Sequence, residues 1–293
     1  MFGFKIAKQT KGAVFGVLSA LFVTGYVITN KHIYEEHNVD AIEYAIVFAV
    51  MGGVFAIFSL LYHGDRKKLT TIKNDYKYLI ILGFVGSLAV AILAVGQKYT
   101  SSVNTALLIT SSVLTTTLFS RIFLKVLPTK SQWFWMVGLF VGIYLGVVGF
   151  HKVDLSLGDV IILSSAIVFG LGNVLSKMAM RTHDPSTVAD VRMIIGSIAS
   201  ILVGFFVFSH YEYLLDIAPF AILAGFFYWA CMQTFARAVH LVGANSAIVL
   251  NQSQIFLTGI LGALILSEVY NWEKFAGSVL AIVSIYFITK VDK

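Results

Sequence analysis

Ten apolar stretches, each about twenty residues long, follow one another along the chain of 293 residues. A helix needs about twenty apolar residues to cross the hydrocarbon core of a bilayer. The chain is 12% charged, whereas soluble domains average about 25%. The connecting segments are too short to fold alone, which excludes a soluble catalytic or nucleic-acid-binding domain. We therefore predict an all-α integral membrane protein with ten transmembrane helices, whose partners include the lipid bilayer but no nucleic acid.

Breakers between the apolar runs define the predicted helix bounds. The prolines, Pro128, Pro185 and Pro219, fall between runs or in a first turn, where a missing N–H costs little. The predicted spans, numbered 1 to 10 along the chain, are 11–30, 41–62, 76–97, 101–123, 133–150, 158–179, 187–208, 217–239, 243–267 and 272–290.

Basic residues are distributed unevenly between the two sides of the predicted bundle. With a cytoplasmic N-terminus, 17 of the 21 Lys and Arg residues lie on the cytoplasmic side, and the exceptions are Lys31, Lys98, Lys152 and Lys274. Cytoplasmic loops of membrane proteins are enriched in Lys and Arg. Both termini are therefore predicted to be cytoplasmic, and the net charge of +6 is explained without a nucleic-acid partner.

The two halves of the chain resemble each other in two places. Residues 12–31 align with residues 158–177 at a constant offset of 146, and residues 104–108 align with residues 245–249 at an offset of 141. The two matches occur in the same order in both halves. This pattern predicts an internal duplication.

An odd number of spans in each half fixes the relation between the halves. With five spans apiece, the second half enters the membrane from the side opposite to the first. We predict two inverted five-helix repeats, 1–150 and 151–293, that form one integrated membrane domain. Inverted repeats allow a fold to open to either side, with a site near the midplane at the repeat interface. A secondary transporter working by alternating access is the predicted class.

The junctions between spans carry a resemblance to a known family. GQKYTSSVNTALL (96–108) and ARAVHLVGANSAIVL (236–250) occupy the matching junctions of spans 3 and 4 and of spans 8 and 9, and ILGALILSE (260–268) ends span 9. In these features the chain resembles a divergent EamA-type member of the drug/metabolite transporter superfamily. The proline usual in spans 4 and 9 is absent, as is the arginine common in span 2, while Arg192 resembles its counterpart in span 7.

The resemblance implies a carrier for a small organic metabolite, most of all an exporter of amino acids or related compounds. It implies a bacterial or archaeal inner (plasma) membrane and no cofactor. Import or export of organic cations or other metabolites by proton coupling stays open. Lipid scrambling or a non-transporting interaction role also stays open, as do the monomeric and homodimeric states. No catalytic or metal-ligating residue is predicted, because the spans hold no Ser/His pair or His/Asp/Glu cluster at membrane depth.

Polar residues of span 9 are the first candidates for a substrate cavity. Asn251, Gln254 and Thr258 follow an i, i+3, i+7 spacing that places them on one helical face, and Thr110 is the repeat equivalent of Asn251. Polar groups facing lipid would lack hydrogen-bond partners, so this face should point inward. Hydrogen bonding between helices and lining of a solute cavity are equally compatible with the pattern.

Aromatic residues deep within spans are the second candidates. Tyr26, Tyr228 and Trp229 lie away from the span ends, where interfacial aromatic residues are common. Such rings could hold an apolar metabolite or an organic cation, and core packing is the alternative.

Charged residues lie towards the ends of the predicted spans, which argues against a site for a strongly charged group. Glu43, in the first turn of span 2, is a candidate proton carrier, with interfacial solvation as the alternative. Lys31 and Lys177 are equivalent by the repeat and are candidate gating residues for the two opposite faces.

Overall fold

Helices make up nearly all of the chain that the structure, a computed structural model, describes. The described residues are 2–37, 39–63, 76–125, 127–150, 154–207 and 214–289. Twelve helices follow in order within them: α1 (Phe2–Glu36), α2 (Ala41–His63), α3 (Tyr76–Lys98), α4 (Ser102–Ile109), α5 (Ser112–Leu124), α6 (Lys130–Val147), α7 (Leu157–Ala179), α8 (Pro185–Val207), α9 (Leu214–Val242), α10 (Ala244–Asn251), α11 (Gln254–Ile265) and α12 (Trp272–Thr289).

The all-α membrane fold predicted from the sequence is confirmed. Nine segments of the described chain are long and apolar enough to cross a bilayer, two of them formed by α4 with α5 and by α10 with α11. The helix α6 overlaps predicted span 5, begins with the polar residues Lys130 and Gln132 in its first turn, and is not among the nine. The predicted ends at 208 and 290, the start of the second repeat at 151 and Lys152 lie outside the described residues.

Predicted spans 4 and 9 were wrong in one respect, because each is interrupted near its middle. The breaks fall at Thr110 and Ser111 and at Gln252 and Ser253. At the first, the N–H groups of Thr110 and Ser111 donate to carbonyls three residues back, and each hydroxyl donates to the same carbonyl as its own N–H. Hydroxyls that bond to nearby carbonyls compete with the helical ladder. The helices therefore break without proline.

The packing of helices in the first half recurs in the second. Helix α1 packs on α9, and the equivalent helices of the other half, α7 and α3, pack on each other. In the same way α2 packs on α9, and their equivalents α8 and α3 pack on each other. The interrupted helices α10 and α11 contact α1, and α4 and α5 contact α7 in the same way. The repeat relation exchanges α2 with α8 and α6 with α12, and the two helices of each of these pairs pack on each other. Inverted repeats would give the same equivalence, and the division at residues 150 and 151 stays a prediction.

Small residues allow the closest helix contacts. A Cβ added to Gly277 of α12 would lie 2.5 Å from the backbone nitrogen of Gly146 in α6. A Cβ added to Gly142 would lie 2.8 Å from the backbone nitrogen of Ala281. Glycine and other small residues are typical where membrane helices pack by close backbone approach.

Candidate functional site

The helix α1 carries a buried polar stripe on one face. Tyr26, Asn30 and Tyr34 follow at intervals of four residues and are all buried. The Asn30 amide donates to Oε1 of Gln97 in α3 at 2.9 Å. The remaining polar atoms of this group, the two tyrosine hydroxyls, Oδ1 of Asn30 and Nε2 of Gln97, are enclosed without a hydrogen bond of ordinary geometry. Such groups are costly to enclose unless water or a ligand meets them.

The structure brings two of the predicted aromatic residues together and separates the third. The rings of Tyr26 and Tyr228 lie 5.6 Å apart between α1 and α9. Trp229 turns towards α2, where its ring stacks on Phe55 at 6.0 Å. The indole N–H of Trp229 is enclosed without an acceptor. Tyr26 and Tyr228 therefore adjoin the polar stripe, while Trp229 lies beside it.

The polar face of predicted span 9 contacts α1. The Asn251 amide donates to the Ser19 hydroxyl at 2.8 Å, and the hydroxyls of Thr258 and Thr24 lie 3.2 Å apart. The Gln254 side-chain amide donates a long hydrogen bond, of 3.4 Å, to Oε1 of Gln252. Asn251 and Thr258 thus take part in hydrogen bonds between helices, and Gln254 is bonded weakly.

Thr110, the repeat equivalent of Asn251, lies at the break between α4 and α5. Its buried hydroxyl donates to the Leu107 carbonyl one turn earlier. The group therefore satisfies a carbonyl of its own helix.

Arg192 is a functional candidate that the sequence analysis counted among the cytoplasmic basic residues and matched to the family's arginine in span 7, without assigning it to the site. It lies in α8, seven residues after Pro185, which is about 10 Å along the helix axis. Only 9% of its surface is exposed, and Nε and Nη2 are enclosed without an acceptor. A Cβ added to Gly86 of α3 would lie 2.5 Å from Nε. Because the guanidinium meets glycine on another helix, no local sequence signal could reveal its burial.

Asp190 is a second buried charged residue in α8, and it is bonded. Its carboxylate accepts hydrogen bonds from the Gln233 amide at 2.6 Å and the Ser59 hydroxyl at 2.9 Å. These bonds connect α8 to α9 and α2. Asp190 therefore differs from Arg192, whose donors find no such partners.

The predicted coupling and gating residues lie at opposite ends of the bundle. We name the end where α1 begins the N-terminal end and the other the far end. At the far end, Glu43 is 6% exposed, and no ion pair joins its carboxylate to another described residue. Lys31 pairs with Glu35 at 3.3 Å. Lys177 is exposed at the N-terminal end.

The buried polar run and the interrupted helices belong to a chain whose sequence matches a known family in both halves. The model of the EamA-like transporter family matches residues 10–148 and again residues 156–290. The chain belongs to the EamA-like transporter family. The resemblance predicted from the sequence is thereby confirmed, and the protein is a multi-pass protein of the membrane.

One relative and one solved structure resemble this EamA-like protein. The uncharacterized transporter YyaM of Bacillus subtilis (strain 168) is 30% identical over 165 residues, which is 54% of this chain and 53% of that protein. The match thus spans about half the length of the relative. A crystal structure at 12% identity superposes with a TM-score of 0.65, covering 95% of this chain and 96% of its own. The second likeness shows the fold alone.

Proposed function

We propose that this EamA-like protein is a secondary transporter that moves a small organic solute by alternating access. The solute we propose is an amino acid or a related compound, which the protein exports. Membership in a transporter family supports transport rather than an enzymatic reaction. The family model matches each half separately, which supports two inverted repeats, 1–150 and 151–293. Inverted repeats are suited to exposing one site to either side in turn.

One observation carries the proposal, a run of enclosed polar atoms without partners through the bundle. It includes Arg192 nearer the N-terminal end, Tyr26 between the ends, and Asn30 and Gln97, whose amides bond to each other, nearer the far end. Lipid cannot satisfy these groups. We infer that water or a solute meets them in turn. Because the atoms are enclosed, an inner passage is favoured over the polar groove open to lipid that scrambling requires.

The proposed cavity lining differs in part from the one predicted from the sequence. It comprises Tyr26, Tyr228, Asn30, Gln97 and Arg192, with Gln254 at its edge because the Gln254 amide is weakly bonded. We assign Asn251 and Thr258 to the joint between α1 and the interrupted span, since their side chains bond to α1.

The packing of the interrupted helices suggests how the two ends differ. At the far end α4 packs on α11, whereas no packing of that extent joins α5 and α10 in the described chain. We propose that this conformation is closed at the far end and opens from the N-terminal end. The basic residues at that end support a cytoplasmic location for it, in a bacterial or archaeal inner membrane.

A transport assay tests the proposal on the amide pair of α1 and α3. Purified protein in vesicles is assayed for counterflow of labelled amino acids, with Asn30→Leu compared with wild type. The loss of an enclosed donor and acceptor should reduce transport at least tenfold in a folded variant. The control is Asn173→Leu, since Asn173 is an exposed amide of α7. Equal transport by Asn30→Leu and wild type would contradict the proposed route.

Proton coupling of organic cation transport is the second candidate. It is favoured by the buried Glu43 carboxylate, which has no ion pair among the described residues. A buried acid within a span is a common component of proton pathways. Whether the carrier acts as a monomer or a homodimer does not alter either candidate.

A further inference from the structure

Arg192 is a buried cation for which the described chain provides no counter-ion. Its Nε and Nη2 atoms are enclosed without an acceptor, and no acid of the described residues forms an ion pair with it. Asp190 is the nearest acid in sequence, and Gln233 and Ser59 bind its carboxylate. An arginine with a structural role normally bonds to an acid or to backbone carbonyls. Arg192 has neither partner.

Three other helices surround the guanidinium and leave room for it. Gly86 of α3 lies where any side chain would collide with Nε, and a Cβ added to Gly172 of α7 would lie 3.7 Å from Nη2. Tyr228 of α9 is near enough to interact electrostatically with the Arg192 charge. The packing thus accommodates an uncompensated charge at a depth where charged side chains are rare and functional.

We propose that Arg192 binds the carboxylate of the transported solute. The inference rests on the proposed carrier function and names the substrate class, an organic monocarboxylate such as an amino, hydroxy or keto acid. A guanidinium donates hydrogen bonds in a planar fork that fits carboxylates and phosphates. One guanidinium balances one negative charge, which matches a carboxylate and falls short of a phosphate dianion.

The surroundings of Arg192 fit the rest of such a solute. Tyr228 leads to the Tyr26 ring 5.6 Å away, which offers an apolar surface. The Asn30 and Gln97 amides lie outside this subsite, because eleven residues of α3, about 16 Å along the helix axis, separate Gln97 from Gly86 beside the guanidinium. The position of charged residues towards the span ends argued against a strongly charged solute. That expectation did not take into account that the Arg192 guanidinium reaches into the bundle from the first third of α8.

The decisive measurement compares acids with their own amides. Binding of the alanine, leucine, phenylalanine and lactate carboxylates and of the corresponding amides is measured with wild type, Arg192→Gln, Arg192→Lys and the control Arg237→Gln. Arg237 lies near the C-terminus of α9, at the N-terminal end of the bundle, against the Phe15 ring. We expect wild type and Arg237→Gln to prefer at least one acid over its amide by at least tenfold. Arg192→Gln should lose that preference, and Arg192→Lys should keep part of it.

Thermal unfolding separates a binding role from a structural one. Removal of an unpaired buried charge should leave the melting temperature of ligand-free Arg192→Met equal to or above that of wild type. If Arg192 has only a structural role, Arg192→Met should melt at a lower temperature than wild type, and Arg192→Lys should keep the wild-type ratio of acid binding to amide binding. This result would overturn the assignment.

Other outcomes distinguish this proposal from the carrier function. If amides or organic cations bind wild type and Arg192→Gln equally well, the carboxylate subsite is wrong and the carrier function stands. If only inorganic phosphate or phosphatidylglycerol binds in an Arg192-dependent way, the anion comes from another source and the carboxylate assignment is wrong. If no solute is bound or moved by wild type, both proposals fail.

Discussion

The Glu268 carboxylate accepts hydrogen bonds from the backbone N–H and the hydroxyl of Ser102, each at 2.7 Å. Glu268 follows α11 and Ser102 begins α4, so these bonds join the interrupted helices of the two halves at the far end. A carboxylate at a helix N-terminus is stabilised by free N–H groups and the helix dipole. The repeat offset of 141 places Leu127 and Gly243 at the equivalent positions, which have no carboxylate. The far end, which we propose is closed, therefore has a bond that the equivalent residues of the N-terminal end cannot form.

Glu268→Gln should loosen the far end, because the amide keeps the size but loses the charge. Charge-assisted hydrogen bonds contribute about 1.5 to 3 kcal/mol, so opening should become roughly tenfold more frequent. Labelling of an Asn104→Cys side chain by a membrane-impermeant maleimide measures it. The control is Glu273→Gln, which alters an acid of the same end that accepts from Asn271. Equal labelling rates in all three proteins would show that Glu268 does not hold the end closed.

Gln254→Leu distinguishes the two interpretations of the span 9 amides. Gln254 is buried but weakly bonded, so a solute contact predicts a binding loss of about 1 to 3 kcal/mol with little change in melting temperature. Asn251→Leu should show the reverse, since it breaks the bond to Ser19 and costs a fraction of a kcal/mol to about 2 kcal/mol of stability. Parallel losses of binding and stability for Gln254→Leu would assign it to helix packing.

These two amides also show where sequence reasoning reached its limit. Inward orientation follows from spacing and the cost of facing lipid, and both residues are at least partly buried. Which amide bonds to α1 depends on helix contacts more than 200 residues apart in sequence. The approximate bounds of the spans follow from hydropathy, but the two breaks that turn ten predicted spans into twelve helices do not. The breaks at Thr110 and Ser253 lack proline, and hydroxyl bonds to the preceding turn carry no sequence signal strong enough to predict them.

Glu43→Gln should abolish the pH dependence of transport if this acid carries the coupled proton. The amide cannot exchange a proton, while its size keeps the first turn of α2 intact. Initial rates of transport are measured with and without an imposed proton gradient in wild type, Glu43→Gln and the control Glu35→Gln. Glu35 pairs with Lys31 on the same end of the bundle. A pH profile unchanged in Glu43→Gln would leave Glu43 as an interfacial residue.

Both termini should lie in the cytoplasm, because 17 of the 21 basic residues fall on the side of the N-terminus. A reporter active only in the cytoplasm, fused after Lys293, should give signal. The same reporter inserted in the segment between α1 and α2 should give none. A well-expressed C-terminal fusion without signal would contradict the ten-span topology.

Gly158→Ala should destabilise the protein far more than Gly172→Ala, although both glycines lie in α7. A Cβ on Gly158 would lie 2.6 Å from the carbonyl oxygen of Gly96, and this backbone is held in place because the Thr100 hydroxyl donates to Asp159 at 2.5 Å. The nearest atoms to a Cβ on Gly172 are 3.6 Å away, an ordinary contact distance. Overpacking against immobile backbone typically costs about 1 to 3 kcal/mol. Thermal unfolding in detergent should therefore show a clear drop in melting temperature for Gly158→Ala and almost none for Gly172→Ala, and equal melting temperatures would mean that α3 and α7 are less closely packed.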